Sequence, residues 1–222
     1  MKFTSFDVQF TDTDREILAG YFRLAESVAE LIGPHSEVVI HSLESFDKSV
    51  VKIVNGHHTG RNPGSPITDL GLKVLRTFES TGETTPKSYF TTSKDGSLLK
   101  STTCVVAGEG GKPIGLFCIN INLSHPFPDI IKTLMPDSTQ LGAAVSENFS
   151  ASAHDLITHA TEQAIEEVDN DPAIGPKNRK KEITRRLFDG DIFEFKEATI
   201  VVSERLGITR HAVYKYIREF KS

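Results

Sequence analysis

The sequence predicts an α+β protein in two parts, an antiparallel sheet with flanking helices followed by an all-helical domain. Over residues 14–135, short β-branched runs alternate with turn residues and a few helical stretches, whereas only helical periodicity follows residue 153. Charge divides the chain similarly, because residues 177–222 carry 12 Lys and Arg against 7 Asp and Glu, and the remainder carries 13 against 23. We therefore expect a sheet domain at 14–135, a linker and connecting helix at 136–176, and a helical domain at 177–222.

Composition excludes several classes of protein. With 38% hydrophobic and 25% charged residues among 222, the chain is neither fibrous nor wholly disordered. Its longest uncharged stretch, residues 113–128, is shorter than the roughly 20 apolar residues that a membrane-spanning helix needs. The first residues do not resemble a secretory signal, so we expect a cytoplasmic protein with no membrane partner. Cys104 and Cys118 lack the spacing of metal ligands, so we expect no metal site and no cofactor.

Periodicity assigns the elements of the first domain in order. Apolar residues recur at steps of three and four over Asp14–Ile32, and Gly33-Pro34 ends this helix. A second helix begins at Thr68 or Asp69, either of which can cap it, and ends at Gly82. A short helix at Pro126–Leu134 closes the domain. Five strands are predicted, at Glu37–Leu43, Ser49–Val54, Ser88–Thr92, Leu98–Ala107 and Pro113–Leu123.

Two features of this domain suggest a binding site. Asn55-Gly56 is a tight turn, and the loop His57–Pro66 after it is rich in glycine and proline and contains Arg61. The Arg61 guanidinium either pairs with a ligand carboxylate or bonds to a helix C-terminus or a nearby acid. The last strand has one apolar face, while Cys118, Asn120 and Asn122 share the other. That part-polar face either lines a ligand cavity or is covered by another layer or a dimer partner.

The region after the sheet begins with Asp137–Ser150, a weakly patterned stretch that we interpret as a linker. Ala153–Val168 then forms a helix with a narrow apolar seam at nearly heptad spacing. This seam is either a dimer contact, the interpretation we prefer, or the side of a helix that packs on the sheet domain.

The last 45 residues predict a helix-turn-helix. Helices at Lys180–Asp189 and Glu197–Leu206 precede Gly207, which permits the sharp turn, and Thr209 can cap the next helix. That helix buries one stripe and exposes another that is basic and aromatic, as in a recognition helix in a major groove. The alternative is a plain helical hairpin with solvated charges. The predicted contacts to double-stranded DNA are Thr209, Arg210, His211, Tyr214, Lys215 and Arg218.

Three segments together resemble the YheO-like family of bacterial transcriptional regulators. They are IVNGHHTGRNPGSPITDLGL at 53–72, GKPIGLFCININ at 111–122 and VSERLGITRHAVYKYI at 202–217. The resemblance implies a PAS-like sensory domain followed by a helix-turn-helix, and some relatives are associated with amino-acid catabolism. It adds Asn55, His57 and Asp69 to the candidate ligand residues, which from the sequence itself are Arg61, Cys118, Asn120 and Asn122.

These observations predict a DNA-binding regulator with a small-molecule effector. A single helix-turn-helix reads only a few base pairs, so we expect a homodimer on a pseudo-palindromic site. The alternatives are an enzyme that uses the glycine-rich loop and Arg61 on a small acidic substrate, or an adaptor whose helical tail binds protein. No nucleophile and base are paired by spacing, so we expect no catalytic residue and no enzyme. His57 and His58 would point to opposite sides of an extended chain, which disfavours a shared metal.

Overall fold

The computed structural model describes residues 9–83, 87–136 and 149–221. The chain divides into two compact units, residues 1–143 and 144–222. The first contains the sheet and the second is helical, which confirms the predicted α+β class. In the described residues, no helix is long and apolar enough to cross a membrane.

The sheet unit contains five strands, and every pair of neighbours is antiparallel. Their order across the sheet is β2-β1-β5-β4-β3, so β5 lies at the centre. The strands are β1 (Ser36–Ser42), β2 (Val50–Val54), β3 (Tyr89–Thr92), β4 (Leu98–Ala107) and β5 (Pro113–Asn122).

Helices cover parts of both faces of this sheet. The 21-residue helix α1 (Asp12–Ile32) buries one apolar stripe, and this stripe packs on β1 and β5 through residues such as Ile40 and Phe117. On the opposite face, α2 (Asp69–Thr81) packs Leu75 against Leu116 of β5. A short helix, α3 (Phe127–Lys132), follows the sheet. Because α2 is shorter than α1, its face of the sheet is only partly filled.

The start of α1 is tied to the turn between β4 and β5 through a buried carboxylate. Asp14 is 0% exposed, lies 2.6 Å from Lys112 Nζ, and accepts a hydrogen bond of 2.9 Å from the Glu109 N–H. Burial alone would raise its pKa, but Lys112 and the backbone N–H groups of Thr11 and Glu109 outweigh burial and hold the pKa of Asp14 well below its usual range. The contact also requires Gly108, where an added Cβ would lie 2.3 Å from Asp14 Oδ1.

The helical unit contains α4 (Ala153–Asp169), α5 (Arg179–Asp189), α6 (Ala198–Leu206) and α7 (Arg210–Phe220). All four contribute to one apolar core. Its buried members are Ile157, Ala164, Val168, Ile183, Leu187, Ile192, Ala198, Val201, Val202, Leu206 and Val213.

This core corrects both expectations about the apolar seam of α4. The apolar seam that suggested a dimer contact, or a face packed on the sheet domain, is buried against α5 and α6 of the same chain. The same core includes α4, which the prediction had assigned to a connecting segment before residue 177. Of the predicted linker, residues 137–148 lie outside the described residues.

Candidate functional site

A cavity of about 520 Å³ lies in the sheet unit. It is lined by the part-polar face of the sheet, the loop after β2, the N-terminal turn of α2, and β3 with the turn that follows it. The loop and strand that the sequence singled out therefore meet. The polar side chains that matter for its chemistry are Glu37, His41, Arg61, Tyr89, Cys118 and Asn120.

The loop after β2 is folded so that Arg61 faces the sheet. Asn55 adopts the left-handed conformation, with φ 56°, and its side-chain amide donates to the Ser36 carbonyl at 2.8 Å. The Arg61 N–H then closes the loop on the Gly56 carbonyl at 3.1 Å. Gly56 is required here, because an added Cβ would lie 2.4 Å from the Arg61 carbonyl oxygen. The guanidinium is held by the Pro66 carbonyl, which accepts from Nη2, and by His41.

His41 is a buried, neutral acceptor. The Ser49 hydroxyl donates to the Ser42 carbonyl at 2.9 Å, so it must accept from His41 Nδ1–H, which lies 3.0 Å away. His41 Nε2 therefore has a free lone pair, and Arg61 Nη1 lies 3.5 Å from it. Burial, reinforced by the Arg61 charge, lowers the pKa of His41 to about 4. At neutral pH the imidazole orients Arg61 without adding a second positive charge.

Glu37 supplies a negative charge in the same cavity. Its side chain is 0% exposed, and Oε2 accepts from both the N–H and the hydroxyl of Thr59, at 3.2 and 2.7 Å. The amide of Asn120 donates to Oε1 at 2.9 Å. Sequence reasoning missed this residue, although an acid at the start of the apolar run EVVIHSL was a usable signal, since a buried charge requires partners.

Besides Glu37 and Arg61, the polar wall of the cavity includes the charged residues Asp69 and Lys94 and the uncharged residues Tyr89, Thr103 and Cys118. Tyr89 and Thr103 share a hydrogen bond of 2.9 Å between hydroxyls, and the Thr103 hydroxyl lies 3.5 Å from Cys118 Sγ. Burial raises the pKa of Cys118 to about 11, so the sulfur is a protonated thiol at neutral pH and a poor nucleophile.

The other predicted ligand residues lie differently. Asp69 lines the cavity at the start of α2, but Asn55, His57 and Asn122 do not. Asn122 instead donates its amide to His58 Nδ1 at 3.3 Å. Gly56–His58 is a 3-10 turn that brings the rings of His57 and His58 within 4.2 Å, so the expectation that they point apart was wrong. Within the described residues, no three candidate ligand side chains are arranged to hold a metal ion.

The helical unit presents the second candidate surface. Gly207 ends α6 in the left-handed conformation, with φ 58°, and the Thr209 hydroxyl caps α7 by accepting from the Ala212 N–H at 3.2 Å. Val213, on the inner side of α7, is fully buried. The opposite side of this helix is exposed, and it includes all six predicted DNA contacts, Thr209, Arg210, His211, Tyr214, Lys215 and Arg218.

Ion pairs within this unit determine which basic residues are available. The acidic side of α4 pairs Glu162 with Arg205, Glu167 with Arg186 and Asp169 with Arg179. By contrast, no hydrogen bond or ion pair within residues 149–221 involves the side chains of Arg210, His211 and Arg218. On α7, Arg210 and Arg218 therefore remain available to a partner, whereas Lys215 Nζ lies 4.0 Å from Glu219 Oε1. Within residues 149–221, Lys177, Lys180, Lys196 and Lys221 also form no ion pair.

Comparison with known proteins identifies the family. The family model that describes the YheO-like PAS domain matches residues 11–136. The chain belongs to the YheO-like PAS domain family. In this YheO-like chain, a model of a helix-turn-helix domain matches residues 156–218, which span nearly all of α4 to α7. The matched domain thus includes α4, which agrees with the burial of α4 in the apolar core of the helical unit.

Relatives match the YheO-like chain across both units. YheO of Escherichia coli K12, an uncharacterized protein, is 42% identical over 96% of this chain and 88% of its own length. An uncharacterized protein of Haemophilus influenzae is 42% identical over 96% of this chain and 95% of its own. The transcriptional regulator DauR of Pseudomonas aeruginosa is 24% identical over 92% of this chain and 94% of DauR. The order of the two domains is therefore shared.

Proposed function

We propose that this protein is a DNA-binding transcriptional regulator whose sheet unit senses a small molecule related to an amino acid. The combination of a PAS domain with a helix-turn-helix supports the DNA-binding role, as does similarity to a regulator along nearly the whole chain. The observation that carries the proposal is the exposed side of α7, where Arg210, His211 and Arg218 have no partner within residues 149–221.

On DNA, the N-terminal turn of α7 enters the major groove. Arg210 contacts a base edge there, while Lys215 and Arg218, farther along the exposed side, contact phosphates. Two copies of the chain bind matching half-sites, and sedimentation at micromolar concentration should give the mass of a dimer. A monomer under all conditions, both free and bound to DNA, would contradict this part.

The experiment begins with selection of binding sites for the full-length protein from random duplexes. On the selected site, Arg210→Ala should weaken binding by about tenfold or more and relax specificity at one position. Arg185→Ala is the matched control, because this exposed arginine lies on α5 over the Phe220 ring, at the far end of α7. Equal affinities for the two variants would refute the assignment of the recognition helix.

The cavity is the effector site in this proposal. An effector changes DNA affinity only if it binds the DNA-competent and incompetent states with different affinity, typically by about 1–3 kcal/mol. By linkage, DNA then changes the affinity for the effector by the same factor. Titration of DNA in the presence of the effector, and of the effector in the presence of DNA, measures this factor.

A further inference from the structure

Four charged side chains line the cavity of the sheet unit, Glu37, Arg61, Asp69 and Lys94, and Glu37 and Arg61 form no ion pair with each other. We propose that the cavity binds a free α-amino acid as the zwitterion, with the α-carboxylate on Arg61 and the α-ammonium on Glu37. This inference rests on the proposed effector site and names its ligand class. A simple carboxylic acid or a simple amine would satisfy only one of the two charges.

Glu37 and Arg61 attract each other across the cavity, since burial lowers the pKa of Arg61 and Glu37 acts to raise it, but neither is in a close ion pair with a described residue. In the part of the chain that the structure describes, neither Arg61 nor Glu37 has an oppositely charged side chain within 4.0 Å. Glu37 is nonetheless 0% exposed, and removing such a charge from water without a counter-charge is unfavourable. A ligand that carries both charges a few ångströms apart neutralises Arg61 and Glu37 together.

Both groups retain capacity for a ligand. The guanidinium has five N–H donors, of which contacts to His41 and the Pro66 carbonyl occupy only some, so a carboxylate still finds donors. Glu37 accepts three hydrogen bonds, two from Thr59 and one from Asn120, and a carboxylate has about four acceptor sites. One site remains for an ammonium N–H. His41, being neutral, does not repel that ammonium.

One hydroxyl on this face of the sheet has no hydrogen-bond partner among the described residues. The Ser101 hydroxyl is buried without a hydrogen bond in the structure, and the residue is 2% exposed. Ser101 lies on the same face of β4 as Leu99 and Thr103, which both line the cavity, and it pairs in register with Asn120, although Ser101 itself is not part of the lining. This buried hydroxyl adds to the polar character of the sheet face that lines the cavity.

Calorimetric titration of the full-length protein tests the proposal. The probes are the standard amino acids and their D-enantiomers, followed, for any that binds, by the 2-oxo acid that lacks the ammonium and the amine that lacks the carboxylate. We expect an amino acid to bind, and both truncated analogues to bind at least about tenfold more weakly. If no amino acid binds, or if the 2-oxo acid or the amine binds as tightly, the proposal is overturned.

Two variants assign the contacts. In the Arg61→Gln variant, the amine that lacks the carboxylate should bind as tightly as the amino acid. The 2-oxo acid that lacks the ammonium should still bind more weakly than the amino acid. In Glu37→Gln the pattern should be reversed. Arg23→Gln and Glu30→Gln make the same charge changes at exposed positions of α1 and should bind as the wild type does. If Glu37→Gln does not fold, the analogues on the wild type together with Arg61→Gln still decide the outcome.

The result is separable from that for DNA binding. An amino acid that binds at Arg61 and Glu37 in a protein without DNA affinity would support the ligand class and refute the regulator. A DNA-binding protein whose titrations detect no zwitterion would refute the ligand class alone.

Discussion

Acidification should destabilise the sheet unit through His41. In the folded protein the pKa of His41 is lowered to about 4, whereas an imidazole in the unfolded chain titrates near 6.5. Below pH 6.5 the unfolded state therefore binds the proton more readily, and stability that is fully present above that pH is lost as the pH falls towards 4. At 1.36 kcal/mol for each pH unit, the loss in the free energy of unfolding is roughly 3 kcal/mol.

The assay is chemical denaturation of the full-length protein over this pH range, with amide signals of β1 and β5 reporting on the sheet unit. His41→Gln cannot titrate, so its stability should depend less on pH than that of the wild type. Ile40→Val, a fully buried neighbour on the same strand, should lower stability equally at every pH. A His41 imidazole that titrates near 6.5 by NMR, or an unchanged slope in His41→Gln, would refute the reasoning.

Two further predictions concern local structure. Asp14→Asn should lower the melting temperature at neutral pH, because it removes the ion pair with Lys112. The difference from the wild type should narrow progressively below about pH 4, since the stabilisation from a carboxyl with a lowered pKa is complete above its unfolded value of 3.8 and is lost as the pH falls towards the folded value. Gly207→Ala places a side chain at φ 58° and should destabilise the helical unit by about 1–2 kcal/mol. Gly175→Ala, with ordinary φ and open space around its Cβ, should be neutral by the same denaturation assay.

Features set by neighbouring residues could be predicted from the sequence. The hydroxyls of Thr68 and Thr209 cap α2 and α7, respectively, because each accepts a hydrogen bond from the N–H group three residues later. Gly82 and Gly207 end α2 and α6 in the left-handed conformation. Such signals depend on backbone geometry within one turn, so they do not require knowledge of the fold. The opposite faces of β5 are similarly fixed by strand alternation.

Features that depend on distant contacts could not be predicted. The carboxylate of Glu37 accepts hydrogen bonds from Thr59 and from Asn120, which is 83 residues away in the chain. Its position in the cavity could be predicted only from the register of the sheet. The seam of α4 illustrates a different difficulty, because small apolar residues at this spacing suit a dimer contact and a domain core equally. Only the positions of α5 and α6 distinguish the two.

The net positive charge of residues 177–222 overstates the number of basic side chains that are available to contact DNA. Residues 144–222 together carry 12 basic and 14 acidic side chains, and α4 supplies acids that pair with Arg179, Arg186 and Arg205. Binding should then depend on the basic residues that α4 does not pair, among them Arg210, Lys215 and Arg218 of α7, and not on all 12.

The salt dependence of DNA binding tests this inference. If Lys215 and Arg218 each contact one phosphate in both copies of a dimer, the slope of log K against log salt should be about −4. Lys215→Ala should reduce its magnitude by about 2, because one contact is lost in each copy. Arg205→Ala should leave the slope unchanged, since Glu162 already neutralises that arginine. A slope near −10 would mean that basic residues outside α7 also release counterions from DNA. A slope that falls equally in both variants would mean that Arg205 does so despite its pairing with Glu162.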